Sequence, residues 1–217
     1  MKTMAFLLVF AILGGGLALA ATAEEATWAN EVEGGVVIQF PGTGDFDLYD
    51  LGLGAEIQYR NWSFDPLGLA FAVGFTSWEA NEDCHKLGDV HTEFDGSVTT
   101  IPIGVSLLYY LYGTQNFSLI AEAGVRYLIT DSDVDFTRIV ETEEGEEQLP
   151  SSLEVDDSVL GLLALEADYF VNEQFLVFGG AGYQQDLQRG EIDTPTGPLR
   201  DNEFTSLFLR LGGKFVF

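Results

Sequence analysis

Asp131-x-Asp133-x-Asp135 places three carboxylates at alternate positions, as in loops that wrap a hard cation in oxygen ligands. The calcium loop of that type needs glycine at its sixth position and glutamate at its twelfth. Phe136 and Thr142 stand there instead, which excludes it. Cys84, His85 and His91, with Asp83, Asp89 and Glu93, form the only cluster with transition-metal ligand types. Their spacing matches no zinc pattern, so no metal site is expected. Asp83, His85 and Ser97 are the nearest approach to an acid–histidine–serine set, and their spacing fixes no geometry between them. A third set is scattered along the chain: Glu33, Glu56, Glu122, Glu166 and Asp168 as acids, Arg60, Arg126, Arg210 and Lys214 as bases. Its meaning depends on the elements that carry it.

Those elements show up as strict alternation. Residues 31–40, 49–60, 67–76, 99–111, 117–129, 159–171, 175–184 and 205–217 each put apolar side chains at every second position. Successive strand residues point to opposite faces, so each segment has one apolar face and one mixed face. The last segment sets Leu207, Leu209, Leu211, Gly213, Phe215 and Phe217 against Phe208, Arg210, Gly212 and Lys214. No charge lies on any of the eight apolar faces. All nine residues of the third set fall on the mixed face.

Connections alternate too. Short links at 61–66, 113–116 and 172–174 share one end with both termini; long links at 41–48, 77–98, 130–158 and 185–203 share the other. This predicts an all-β, eight-stranded, antiparallel up-and-down barrel. Alternation fits either a soluble barrel with an apolar inside or a transmembrane barrel with an apolar outside. The mixed face decides for the second: it is rich in Gly and Ala and poor in charge, which makes a bad water-facing exterior. Aromatics also gather at both ends of the apolar face. Tyr59, Tyr109, Phe117, Tyr169, Phe175, Phe215 and Phe217 lie near the short turns; Phe40, Tyr49, Phe75, Tyr127 and Tyr183 lie near the long connections. Two membrane interfaces select such girdles.

The charge follows from this layout. The chain has 217 residues, 35 Asp+Glu against 9 Lys+Arg, and a net charge of −26. That excludes a nucleic-acid binder built on clustered cations. With 47% hydrophobic residues it is no disordered acidic tail either. In and beside the four long connections lie 25 of the 35 acids. The interior set is expected to be nearly balanced, five acids to four bases, forming a salt-bridged plug in a bore that side chains just fill.

Before the barrel, Met1-Lys2-Thr3 and the apolar run 4–20 lead to Ala18-Leu19-Ala20 and Ala21-Thr22-Ala23. This is the pattern of a cleaved signal peptide over residues 1–23, leaving 24–217 as the barrel domain. One cysteine allows no internal disulfide.

The C-terminal run, with Leu209, Leu211, Gly213, Phe215 and Phe217 in alternation, resembles the terminal assembly signal of bacterial outer-membrane barrels. The strand layout over residues 28–217 resembles the small, porin-like OmpA/OmpX-type barrels. The resemblance implies an integral protein of a Gram-negative outer membrane. It also implies recognition of the last strand by the barrel-assembly machinery, with membrane lipid as the other partner. The expected function is structural or surface-interacting, through a monomer with acidic extracellular loops that are candidates for divalent-cation binding. No enzyme activity and no cofactor are expected. The alternatives are a narrow small-solute channel and, behind it, a lipid A-modifying enzyme of PagL/PagP type. Against the last, no strand pairs a lipid-facing histidine with a serine.

Overall fold

The computed structural model describes residues 30–42, 49–80, 85–87, 90–142, 145–188, 191–194, 197–201 and 204–217. The signal-peptide segment and Cys84 lie outside them. Side chains are described except at 43–49, 80–95, 132–154 and 189–203.

Eight strands form the wall: β1 (Asn30–Pro41), β2 (Tyr49–Phe64), β3 (Leu67–Ala80), β5 (Val90–Gly113), β6 (Phe117–Thr142), β8 (Ser158–Phe170), β9 (Phe175–Gln188) and β12 (Ser206–Val216). Each pairs antiparallel with the next, and β12 pairs back onto β1 from Glu31↔Val216 to Pro41↔Ser206, closing the barrel. Closure satisfies the backbone groups of the band within the wall, as hydrocarbon demands. The turns at the short end are tight. Asn172 Oδ1 accepts hydrogen bonds from the amides of Gln174 and Phe175, both at 2.9 Å. The seam near the termini is tied by Phe217 N donating to Asn30 O at 3.1 Å and Tyr59 OH donating to Asn30 Oδ1 at 2.6 Å.

The faces follow the alternation. Val36, Leu53, Ile57, Phe71, Val105, Leu165, Leu209 and Leu211 are exposed on the outside, and the girdle residues Phe40, Tyr59, Phe75, Phe117, Tyr127, Tyr169, Phe175, Tyr183, Phe215 and Phe217 lie outside with them. Hydrophobic side chains exposed all round a closed wall belong in lipid. Among the described residues no helix is long and apolar enough to cross a membrane, and the crossing is made by strands.

Three expectations need correction. First, the long connections are not loops alone. β5 and β6 run for 24 and 26 residues, more than twice the ~9–11 that a tilted strand needs to cross hydrocarbon. β4 (His85–Leu87), β7 (Gly145–Val155), β10 (Glu191–Thr194) and β11 (Gly197–Asp201) extend the sheet beyond the band, in the order β11-β10-β7-β6-β5-β4. Asp131, Asp133 and Asp135 therefore sit on a strand. Alternation could not reveal this, because only the bilayer imposes an apolar side that marks the period of each strand. Second, a register shift between Tyr110 and Tyr112 makes Leu111 an extra residue, so Tyr112 takes the lipid side where Leu111 was expected. Third, Tyr109 keeps its outward register but is only 8% exposed, covered by its neighbours rather than open to the interface.

Candidate functional site: the charged interior

The bore is stacked in layers. At the short-turn end Ala70, Leu108 and Ile120 pack with Trp62 and Tyr110, whose rings meet edge-on at 6.5 Å. The charges come next. Above them Val37, Leu162 and Ala164 surround Phe208. Then Gln39 donates to Thr76 Oγ1 at 3.3 Å, and Gln184 donates to Gln39 Oε1 at 2.9 Å. Trp78 and Phe204, 6.0 Å apart, close the stack toward the long connections.

All nine sequence-predicted charges point inward and are buried. Their strands carry them at inward register positions: Glu33 on β1, Glu56 and Arg60 on β2, Glu122 and Arg126 on β6, Glu166 and Asp168 on β8, Arg210 and Lys214 on β12. The structure brings them into one network. Arg60 forks onto Glu166 at 2.5 and 2.9 Å and reaches Glu33 at 2.7 Å. Its Nε also donates to Gln58 Oε1. Arg126 pairs with Glu56 at 2.7 Å. Arg210 bridges Glu122 at 2.5 Å, Glu56 at 3.0 Å and Glu166 at 3.4 Å. Lys214 meets Glu166, Asp168 at 2.7 Å and Glu33 at 3.6 Å. Charges taken out of water need partners of this quality, because desolvation otherwise exceeds the Coulombic gain.

Neutral groups complete it. Gln58 donates to Glu122 at 3.2 Å and Ser118 donates to Asp168 at 3.0 Å. The guanidinium groups of Arg126 and Arg210 lie 5.8 and 5.6 Å from the Phe208 ring, and the Lys214 ammonium lies 5.3 Å from Phe178. These rings need room. A Cβ at Gly182 would stand 2.3 Å from Phe208, and one at Gly212 would stand 2.8 Å from Phe178.

Sequence reasoning missed Gln58, Ser118, Phe178 and Phe208, which alternation puts inside without marking them as partners. It also missed Glu31, which is fully buried. The signal was present: Val32 and Gly34 face out, so positions 31 and 33 both face in. With Glu31 the buried charges among the described residues are six acids and four bases, not five and four. Near balance gives way to a surplus of two negative charges.

The other predicted sites separate from this network. His85 lies on β4 and His91 on β5, with backbone pairings His85↔Thr92 and Lys86↔His91. Their side chains lie outside the described set, as do Asp83, Asp89 and Glu93. Among the described residues no group of three or more His, Cys, Asp or Glu side chains could hold a metal ion. Leu209, Leu211, Gly213, Phe215 and Phe217, the residues in which the sequence resembles an assembly signal, face outward at the β12 side of the seam. The Phe215 ring lies 5.1 Å from that of Phe175 and stacks on Phe217 at 6.2 Å.

No protein-family model matches the chain, and no curated protein matches it. Solved structures do. The outer-membrane protein OprG from Pseudomonas aeruginosa superposes with TM-score 0.60 at 16% identity, covering 88% of this chain and 96% of that one. A major outer-membrane protein from Thermus thermophilus gives TM-score 0.53 at 16% identity, covering 88% and 100%. The outer-membrane protein AlkL, solved in lipid bilayers, gives 0.52 at 15%, covering 91% and 94%. The fold is thus the closed eight-stranded barrel found in outer-membrane proteins.

Proposed function

We propose that this chain is a monomeric outer-membrane barrel that acts through its outer extension rather than through its bore. The observation that carries this reading is the contrast between the two. The bore is occupied by a buried, multiply bridged charge network, which is a structural plug. The extension is built from strands that rise out of the charge-free band, and the long connections to which they belong carry in sequence 25 of the chain's 35 acidic residues. Ordered strands outside the membrane, with no demand from the bilayer, point to a surface role: binding divalent cations or a cationic partner at the cell surface. The reading includes no catalytic step and no cofactor. Outer-membrane lipid surrounds the wall, and β12 is the strand presented to the barrel-assembly machinery.

The test has two arms. Membrane-impermeant maleimide applied to intact cells labels Cys84 if the long-connection end is outside; labelling only after lysis overturns the orientation. Deletion of residues 132–154 is expected to abolish calcium or cationic-peptide binding while the barrel still shows faster gel migration unboiled. Binding that survives the deletion removes the extension as the site. Purified protein is expected to be silent in a planar bilayer. Steady conductance altered by Arg126→Gln returns the function to the bore.

A further inference from the structure

The seam between β1 and β12 joins the two ends of the barrel domain, and the lipid face does not fix its register. Outside, β1 presents Val32, Gly34, Val36, Ile38 and Phe40, and β12 presents Leu207, Leu209, Leu211, Gly213, Phe215 and Phe217. Sliding β12 by one residue turns its apolar face inward. Sliding it by two keeps every apolar side chain in lipid, loses only end pairs of the ladder and changes the stagger that shapes the barrel. Rejection of the two-residue slip has to come from inside.

Charge supplies half of it. In the observed register Glu33 stands opposite Lys214, with the ammonium 3.6 Å from its carboxylate. A slip one way sets Glu33 against Val216. A slip the other way sets Lys214 against Glu31, also a carboxylate, so charge pairing rejects one direction only.

Two glycines and a ring reject both. Gly35 stands opposite Gly212, and Gly212 stands opposite Phe178 on β9. The buried Phe178 ring crosses from β9 over both glycines. A Cβ at Gly212 would stand 2.8 Å from Phe178 Cε1, and one at Gly35 would stand 2.9 Å from Phe178 Cζ. Either slip brings a side chain of β1 to the place of Gly35: Val37 in one, Glu33 in the other. The Cβ that the ring excludes is then present, and a close-packed interior has no room for it. The adjacent pair Gly34↔Gly213 shows the contrast: it faces lipid, and nothing lies within 4 Å of a Cβ added at Gly34.

We propose that Phe178 sets the closing register of the barrel: its ring, seated over Gly212 and Gly35, selects the one alignment in which the last strand pairs with the first. That alignment in turn brings Arg210 to Glu56 and Glu122 and Lys214 to Asp168. The role is separate from any binding at the outer surface.

The test reads register directly, with cysteine pairs on the lipid side of the seam in a Cys84→Ser background folded into lipid vesicles. Val36→Cys/Leu211→Cys reports the observed register. Val36→Cys/Leu209→Cys and Val36→Cys/Gly213→Cys report the two slips. Oxidised monomer closed by the disulfide is separated from open chain on a denaturing gel. With Phe178 in place, only the first pair is expected to cross-link. Phe178→Ala is expected to raise the ratio of slipped to native product roughly tenfold, the scale of one overpacked contact removed. Native-only cross-linking in a Phe178→Ala barrel that still migrates fast unboiled overturns the proposal. Gly35→Ala gives a second reading that does not depend on Phe178→Ala folding. It is expected to lower the native product, and adding Phe178→Leu, which shortens the side chain facing the new methyl group, is expected to restore it; no restoration also overturns the proposal. Slipped product from Glu33→Gln with Phe178 in place would assign the register to the charge pair and overturn it too.

Discussion

Arg210 Nη2 stands 2.5 Å from Glu122 Oε2 across the bore, joining residues 88 positions apart in the chain. The same guanidinium touches Glu56 and Glu166, so one β12 side chain ties β2, β6 and β8 together. Barrel closure and charge pairing thus depend on the same strand, the one that seals the wall against β1.

Removing that cation should cost more than the bridges contribute. Arg210→Met is expected to destabilise the barrel by about 3–5 kcal/mol, because it leaves buried carboxylates underpaired. Arg210→Met/Glu122→Met should recover a large part of the loss. Urea-dependent folding into lipid vesicles measures both; losses that simply add would show that the two residues do not interact.

Interior glycines should divide sharply from exterior ones. Gly182→Ala drives a methyl group to 2.3 Å from Phe208 and 2.6 Å from the Leu163 carbonyl oxygen. A loss of roughly 1–3 kcal/mol is expected from such overpacking. Gly34 points outward with nothing within 4 Å of an added Cβ, and Gly34→Ala should fold as the wild type does. The same folding assay ranks them, and equal behaviour would place Gly182 on the wrong face.

Charge on the outer wall should be penalised by depth. Leu165, midway along β8, is exposed within the band, whereas Phe64 borders the β2–β3 turn. Leu165→Arg is expected to cost about 2–4 kcal/mol and Phe64→Arg about 0–1 kcal/mol in vesicles. In a detergent that exchanges freely the gap should shrink. A reversed order would put the hydrocarbon elsewhere along the strands.

The wall was legible because the bilayer imposes a period. Every strand that separates lipid from bore must alternate, and Val36, Ile38 and Phe40 on β1 record this as plainly as Leu207, Leu209 and Leu211 on β12. The nine interior charges were legible for the same reason. Above the band the constraint ends, and β7, β10 and β11 left no apolar stripe to read. Glu31 was lost differently: the first residue of a predicted strand invites neglect, though parity already placed it. Partnerships such as Arg60 with Glu166 lie beyond any local pattern, since they depend on stagger around a closed wall.

The β5–β6 hairpin has a mechanical consequence. Every residue from Val90 to Tyr110 is paired with β6, starting at Val90↔Val140 and running without a break into the band. A ribbon joined this way has no joint between its exterior part and the wall. Tension applied at its outer, open end loads the whole ladder in shear instead of straightening a slack tether.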